Sequence, residues 1–264
     1  ALTQADLSAA DVIVVDNGSA PPPGEIVARF ANVRHGSEPR KGAAAARNRG
    51  VAETTAPRLA FLDADCVPDM DWLAVARDQA RPAEVTGGHV GVFDETPPPR
   101  AGAEAFETVF AFQQETYIAD KGFSVTATLV TTRDVFEATG PFVVGVSEDA
   151  DWCRRAVAGG AVLRYCPALR VAHPPRSDWQ ALRHKWRRLT EESFELHLLD
   201  HGRLSWGLRA LAMPFSVIAH IPRVLVHPQL DGPGDRLRAI GTLARLRGLR
   251  GRWMLGQCFG RPLA

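Results

Sequence analysis

The sequence predicts an α/β protein, in which a mostly parallel sheet is flanked by helices and followed by an α-helical extension. Short apolar strands alternate with helical segments up to about residue 175, an order that is typical of a parallel sheet. Beyond that point, stretches rich in leucine and arginine replace the strands. With 264 residues, of which 45% are hydrophobic, the chain is large enough to bury a full core.

Charge divides the chain at the same place. Residues 1–175 carry 16 Lys/Arg and 23 Asp/Glu, whereas residues 176–264 carry 15 and 7, so their formal charges are −7 and +8. We interpret 1–175 as the domain that holds the site and 176–264 as a basic helical extension. The four cysteines have no zinc-site spacing, which predicts reduced thiols and a cytoplasmic location.

The first elements are a helix end at 1–10 and a buried strand at 11–15, which is a short run rich in β-branched residues. Asp16, Asn17 and the Gly-Ser that follows predict a turn whose polar groups face the mouth of the sheet. A short helix at 24–30 and a short strand at 33–35 come next.

The stretch Lys41–Gly50 predicts a loop that runs into a closely packed helix, from which Arg47 reaches a phosphate or a carboxylate. Arg58–Leu62 then reads as a buried strand, which places Asp63 and Asp65 at its carboxyl end, where α/β sheets bind ligands. Two hard oxygen ligands suit Mg²⁺ or Mn²⁺. A polar turn gives the same short pattern, so the motif alone leaves both interpretations open.

Residues 1–175 contain two more places with candidate functional residues. A helix that begins after Ser147 carries Glu148 and Asp149 in its first turn, where acids also suit the helix dipole without any function. His173 follows the last predicted strand and precedes two prolines, a setting in which a histidine is often structural. The remaining predicted elements are helices at 69–80 and 101–118 and strands at 85–93, 123–131 and 161–165.

The extension is predicted to contain a helix over 178–199, an apolar stretch over 204–226 and an Arg/Leu stretch over 236–252. Prolines and arginines interrupt the apolar stretch, so we expect interfacial helices on a peripheral membrane surface and no spanning helix. The interleaved apolar residues favour a lipid surface over a nucleic acid. Packing of these helices on the first part is the alternative. The side chains predicted to face the lipid are the apolar residues of this stretch together with six arginines: Trp206, Leu208, Leu211, Met213, Phe215, Val217, Ile218, Ile221, Val224, Leu225 and Val226, and Arg236, Arg238, Arg245, Arg247, Arg250 and Arg252.

Five motifs in a fixed order resemble the family 2 glycosyltransferases. They are the Asp-Asn-Gly-Ser turn at 16–19, the small-residue helix at 42–50, Phe-Leu-Asp-Ala-Asp at 61–65, Ser-Glu-Asp-x-Asp-Trp-Cys-x-Arg at 147–155, and Tyr-x-Pro with Val-x-His at 165–173. The resemblance covers roughly residues 1–175. It implies a Rossmann-like GT-A fold without its usual first strand, a nucleotide-diphosphate sugar donor with UDP as first choice, Mn²⁺ or Mg²⁺, and inversion at the anomeric carbon.

The resemblance also implies roles for single residues on the donor side. By position, Asp16 contacts the nucleoside and Asn17 lies in the same donor-binding turn. Arg47 borders the donor site, and Asp63 faces the ribose or the sugar. Asp65 binds the metal together with the diphosphate.

On the acceptor side, the resemblance assigns the catalytic base to the pair Glu148 and Asp149, with Asp149 as first choice. His173 matches a histidine that joins the metal in some relatives. A carboxylate base and a single displacement need no enzyme nucleophile. We expect a lipid, lipid-linked or cell-envelope glycan acceptor at the inner face of the membrane. The alternatives are a scaffold or nucleotide-sugar-binding subunit without turnover and, less favoured, a nucleotidyltransferase.

Overall fold

The computed structural model describes residues 7, 10–145 and 147–261, apart from the side chains of residues 196, 199 and 200. The predicted helix end at 1–10 therefore lies almost wholly outside the described residues. The strands are β1 (Val12–Asp16), β2 (Val33–Ser37), β3 (Arg58–Leu62), β4 (Val67–Pro68), β5 (Glu84–Val92), β6 (Thr128–Thr132) and β7 (Val162–His173). The helices are α1 (Gly24–Val27), α2 (Ala43–Ala52), α3 (Trp72–Gln79), α4 (Gly102–Phe110), α5 (Gln114–Lys121), α6 (Arg133–Thr139), α7 (Glu148–Ala158), α8 (Trp179–Asp200), α9 (Arg203–Ala212), α10 (Ser216–Leu225) and α11 (Pro233–Cys258).

The chain divides into two compact units. Unit 1 consists of Ala1–Gly91 and Gln113–His173, and unit 2 of Val92–Phe112 and Pro174–Ala264. We predicted a single boundary after residue 175. The structure places the C-terminal boundary after residue 173 and adds 92–112 to the helical unit, because α4 packs along α11.

Unit 1 contains both parallel and antiparallel strand pairs, whereas the sequence predicted a mostly parallel sheet. β1 and β2 pair in parallel, and the other strands form a sheet in the order β3-β6-β5-β7-β4. In that sheet β6 runs antiparallel to both β3 and β5, and β4 runs antiparallel to β7. Four successive residues of β6, from Thr128 to Thr131, are buried. A strand that is buried on both faces has the same sequence pattern in either direction, so the pattern could not reveal the antiparallel pairing.

An aromatic cluster holds α7 against β3 in the core of unit 1. The rings of Phe61, Phe136, Phe142 and Trp152 contact one another at centroid distances of 5.3 to 6.3 Å. The indole nitrogen of the fully buried Trp152 donates a hydrogen bond of 2.9 Å to the carbonyl oxygen of Gly140. This packing fixes the start of α7 relative to the end of β3, the two places where the sequence predicted site carboxylates.

The segment predicted as one helix over 101–118 forms two helices, α4 and α5. Between them Gln113 leaves the helical region, with φ −134° and ψ 52°. The buried side chain of Gln114 hydrogen-bonds Ser124 and Val125 of unit 1, whereas Phe106 is buried among the helices of unit 2. Apolar periodicity predicted the helical conformation, but it does not specify which of two cores each half enters.

Unit 2 packs α4 with the four C-terminal helices. One apolar cluster joins α4 to α8 and α11 through Phe106, Leu182 and Leu243. Within the described ranges no single helix is long and apolar enough to cross a membrane, whereas α9 and α10, bent by 49°, reach that length and composition as a pair.

Several residues predicted to face lipid are instead used inside unit 2. Trp206 and Val224 are buried. Burial lowers the pKa of Arg247. Burial, followed by the charge of Arg247, lowers the pKa of Arg250 to about 10. Arg245, by contrast, is exposed, and its guanidinium lies 3.9 Å from the ring centroid of Trp179. The prediction was wrong for Trp206, Val224, Arg247 and Arg250, because helical spacing shows a face but not what covers it.

Candidate functional site

The end of β3 brings an aspartate and a histidine together. Oδ2 of Asp65 lies 3.2 Å from Nε2 of His173, the last residue of β7. The contact arises because β4 begins two residues after Asp65 and pairs with the end of β7, with Val67 opposite Ala172. The two residues that the sequence predicted as metal ligands therefore lie side by side.

A third ligand-type group, Cys66, belongs to the same cluster. Asp65, Cys66 and His173 each place one potential ligand atom within 4.8 Å of the others. Burial, and then the charges of Asp63 and Asp65, raise the pKa of the Cys66 thiol to about 12, so the thiol is protonated near neutral pH. The carboxylate and the imidazole are thus the donors that fit a divalent ion. The sequence analysis did not name Cys66, although its place beside Asp65 was a signal.

Arg47 joins the end of β3 to the start of α7. Its Nη2 donates to Oδ1 of Asp63 and its Nη1 to Oε1 of Glu148, both at 2.7 Å. Burial acts to lower the pKa of Arg47, but Asp63 and Glu148 outweigh it and raise that pKa. The nearly inaccessible Ala44 and Ala45 let α2 pack closely at this point. The sequence predicted Arg47 at the site but not its two partners.

Glu148 and Asp149 have different environments in the first turn of α7. Glu148 is paired with Arg47, whereas Oδ1 of Asp149 accepts hydrogen bonds from the Ala150 backbone nitrogen at 2.8 Å and the Ser147 hydroxyl at 3.4 Å. Burial, and then the charge of Glu148, raise the pKa of Asp149. A carboxylate with a raised pKa is a stronger base at neutral pH, as proton abstraction requires.

The side chain of Asn17 links the turn after β1 to the segment before α2 by hydrogen bonds. Its side-chain nitrogen donates to the carbonyl oxygens of Glu38 and Arg40, each at 2.7 Å. Its side-chain oxygen accepts a hydrogen bond of 2.7 Å from the backbone nitrogen of Gly42. The carboxamide therefore holds the turn against the loop before α2. This geometry supports a role for Asn17 in positioning the turn, whereas the family resemblance placed Asn17 among the residues that bind the donor.

Asp16 and Lys41 give the same turn two charged groups. The Ser19 backbone nitrogen donates to Oδ1 of Asp16 at 2.8 Å, and the hydrogen bonds from Ser19 lower the pKa of Asp16. The ammonium of Lys41 donates to the carbonyl oxygens of Asn17 and Gly18 at 3.0 and 3.1 Å. Lys41 is a further residue that the sequence analysis missed, and its position next to Gly42 was the available signal.

Carboxylates and an imidazole at the ends of two strands thus lie in the same unit as an arginine of α2 and two acids of α7, and the ends of strands in α/β sheets are where such proteins bind ligands. The family model described as glycosyl transferase family 2 matches residues 1–137. The chain belongs to this family of glycosyltransferases. The predicted family and the predicted α/β class with a C-terminal helical region are thereby confirmed.

The chain is similar to two proteins and covers part of the length of each. It is 30% identical over 188 residues to "Glycosyltransferase AglE" of Haloferax volcanii, with 67% of this chain and 60% of that protein covered. It is 32% identical over 184 residues to the "Pre-mycofactocin glycosyltransferase" of Mycobacterium tuberculosis, with 64% and 39% covered. The chain thus spans 60% or less of the length of these relatives.

Two solved structures are also similar to the chain. The mannosyltransferase PcManGT of Pyrobaculum calidifontis, in complex with GDP-Man and Mn²⁺, has a TM-score of 0.47 and 19% identity, covering 95% of this chain and 64% of that one. S. aureus TarS 1–349, in complex with UDP-GlcNAc, has a TM-score of 0.49 and 14% identity, covering 98% and 86%.

Proposed function

We propose that this glycosyltransferase is metal-dependent and inverting, and that it moves a sugar from a nucleotide-diphosphate sugar, with UDP as first choice, to a hydroxyl group of its acceptor. The observation that carries the proposal is the double contact of Arg47 with Asp63 and Glu148. It links the carboxylates that follow β3 to those that begin α7. The groups proposed for the donor and the group proposed for the acceptor thereby belong to one connected site.

Asp65 and His173 are the residues that would hold the ion, Mn²⁺ or Mg²⁺. Their separation of 3.2 Å and their donor atoms, one carboxylate oxygen and one imidazole nitrogen, fit a divalent cation. When bound, such an ion offsets the negative charge of a diphosphate leaving group.

Asp149 is the proposed base. It takes the proton from the acceptor hydroxyl while that oxygen forms a bond to the anomeric carbon and the bond from this carbon to the diphosphate oxygen breaks. Attack from the side opposite to the leaving group inverts the carbon. Glu148 is less suited to this step because Arg47 already engages its carboxylate at 2.7 Å. The raised pKa of Asp149 supports its role as a proton acceptor near neutral pH.

The acceptor is proposed to be a lipid, a lipid-linked glycan or a cell-envelope glycan, met at the inner face of a membrane. The support is an apolar surface on α9 and α10, which we call the α9–α10 face. No Asp or Glu occurs over 201–230, and Arg203, Arg209 and Arg223 are exposed there, which suits anionic lipid. Four free cysteines agree with a reducing compartment. The α9–α10 face consists of Leu204, Leu208, Leu211, Phe215, Ile218, Leu225 and Val226, each more than half exposed.

The proposal is tested by measuring donor binding and hydrolysis with the purified chain. A panel of nucleotide sugars is expected to raise the melting temperature only with Mn²⁺ or Mg²⁺ present, and Asp65→Ala is expected to abolish that shift. Asp69→Ala is the control, because Asp69 is exposed to a similar extent and pairs with Arg170 outside the cluster. A shift that is independent of metal or unchanged in Asp65→Ala would contradict the metal site. Binding without hydrolysis or transfer would favour a nucleotide-sugar-binding subunit.

A further inference from the structure

A cavity of about 600 Å³, wide open to solvent, lies against the first half of α8 in unit 2. Its volume is within the range of small-molecule sites. Four of its seven lining residues carry a basic group, and one carries a carboxylate. The lining residues are Arg176, Asp178, Gln180, Ala181, His184, Lys185 and Arg188.

The two inner basic residues are held in place by one buried carboxylate. The side chain of Glu107 is 1% exposed, and its Oε1 accepts a hydrogen bond of 2.7 Å from Nζ of Lys185. Its Oε2 accepts from the Arg176 backbone nitrogen at 2.8 Å and from Nη1 at 3.1 Å. One carboxylate thus faces two cations, which leaves surplus positive charge at the cavity wall. A cleft lined mainly by one sign of charge attracts ligands of the opposite sign, so this surplus favours the binding of an anion.

The rim of the cavity adds to this surplus. Arg188 is 66% exposed, and its Nε lies 3.7 Å from Glu192, a weak surface pair. Asp178, the carboxylate of the lining, caps α8 and accepts a hydrogen bond of 2.8 Å from the backbone nitrogen of Ala181. An anion in the cavity therefore meets more cationic than anionic groups.

Two aromatic residues, one at the end of α4 and one just beyond it, contact α10 and the lining of the cavity respectively. Nζ of Lys185 lies 5.6 Å from the ring centroid of Phe112. The ring of Phe110 lies 5.8 Å from that of His220 and 5.5 Å from the guanidinium of Arg223, both on α10. Unit 2 thus carries both a basic cavity and, on α10, part of the apolar α9–α10 face, and two aromatic residues only two positions apart contact the one and the other. This combination matches a ligand with a phosphate group and an apolar chain.

We propose that the α8 cavity binds the phosphate group of a lipid phosphate. Arg176 and Arg188 present planar guanidinium groups to phosphate oxygens, and Lys185 adds a point charge. The identification of this ligand as the acceptor rests on the proposed function, whereas phosphate binding itself does not.

The experiment measures binding of inorganic pyrophosphate and of a polyprenyl phosphate in detergent micelles to the full chain, by calorimetry, with a chelator present and no sugar nucleotide. Arg188→Gln is expected to weaken binding of the polyprenyl phosphate about tenfold, the size of one charge-assisted hydrogen bond. Arg187→Gln is the matched control, because Arg187 is also an exposed α8 arginine paired four residues on, with Glu191, but does not line the cavity. The double variant Glu107→Gln/Lys185→Met removes a buried pair together and is expected to bind less tightly while remaining folded.

Arg188-dependent binding of both probes, tighter for the polyprenyl phosphate, would support a lipid phosphate as the ligand. Arg188-dependent binding of pyrophosphate alone would keep the phosphate site and overturn its lipid source. If Arg187→Gln and Arg188→Gln weaken binding of the probes equally, or if neither weakens it, the site is overturned. Donor hydrolysis is measured separately on Arg188→Gln, so failure of the proposed function is distinguished from failure of this site.

Discussion

Arg47 and Glu148 are joined by a hydrogen bond of 2.7 Å although 101 residues separate them in the chain. The same guanidinium donates to Asp63 at 2.7 Å, and the Arg47 side chain is 14% exposed. A cation at this depth needs compensating carboxylates, and each carboxylate in turn depends on the cation. The arginine therefore couples the end of β3 to the start of α7.

Replacing Arg47 with glutamine is expected to lower the free energy of unfolding by about 1–3 kcal/mol, because it leaves two partly buried carboxylates uncompensated. Urea unfolding measures this change. Arg49→Gln on the same helix is the control, since Arg49 forms an exposed pair with Glu53 that contributes about 0.5 kcal/mol or less. Equal effects of the two substitutions would show that Arg47 is an ordinary surface residue.

Asp149→Asn is expected to reduce transfer by roughly 10²–10⁴-fold, the usual contribution of a general base, while donor affinity is retained. Steady-state rates and donor binding are measured on the same preparation. Asp151→Asn serves as the control, because Asp151 is in the same turn but pairs with Arg155. If Glu148→Gln stops transfer and Asp149→Asn does not, the two roles are exchanged.

The raised pKa of Asp149 predicts that the same substitution, Asp149→Asn, increases the stability of the chain although it reduces transfer. A carboxyl group whose pKa is higher in the folded chain than its ordinary value of 3.8 lowers the free energy of unfolding above both pKa values, and has no such effect below both. Asp149→Asn is therefore expected to be more stable than the wild type at neutral pH, by a margin that shrinks as the pH falls towards 3.8. Urea unfolding over a pH series tests this, and a margin independent of pH would contradict it.

Changing Leu208, Phe215 and Ile218 together to glutamine is expected to reduce co-sedimentation with anionic liposomes at least roughly tenfold, because apolar burial at the lipid boundary is lost. The melting temperature should stay the same, since all three side chains are exposed. Met70→Gln and Val157→Gln, which alter exposed apolar residues of unit 1, are the control. Wild-type binding should also weaken with salt. Unchanged sedimentation of the triple variant would leave the α9–α10 face without a role at the membrane.

The part of the site that depends on local pattern was predictable from the sequence. The strand Arg58–Leu62 was predicted with the bounds that the structure shows, so Asp63 and Asp65 were placed at its carboxyl end. The start of α7 at Glu148 was predicted from Ser147 as an N-cap and from the acidic residues of the first turn, which suit the helix dipole. The order of the motifs supplied the expected roles of these carboxylates, because it related them to one family.

Contacts between distant segments were decided by the tertiary structure alone. The sequence by itself determined which segments are strands or helices and which residue types stand at their ends, because burial and periodicity are recorded locally along the chain. It did not determine that β6 runs antiparallel to its neighbours, that 101–118 divides between two units, or that Trp206 turns inward. Nor did it determine that Arg47 binds both Asp63 and Glu148. A local pattern records that a side chain is buried or charged, whereas the identity of its partner depends on how the whole chain packs.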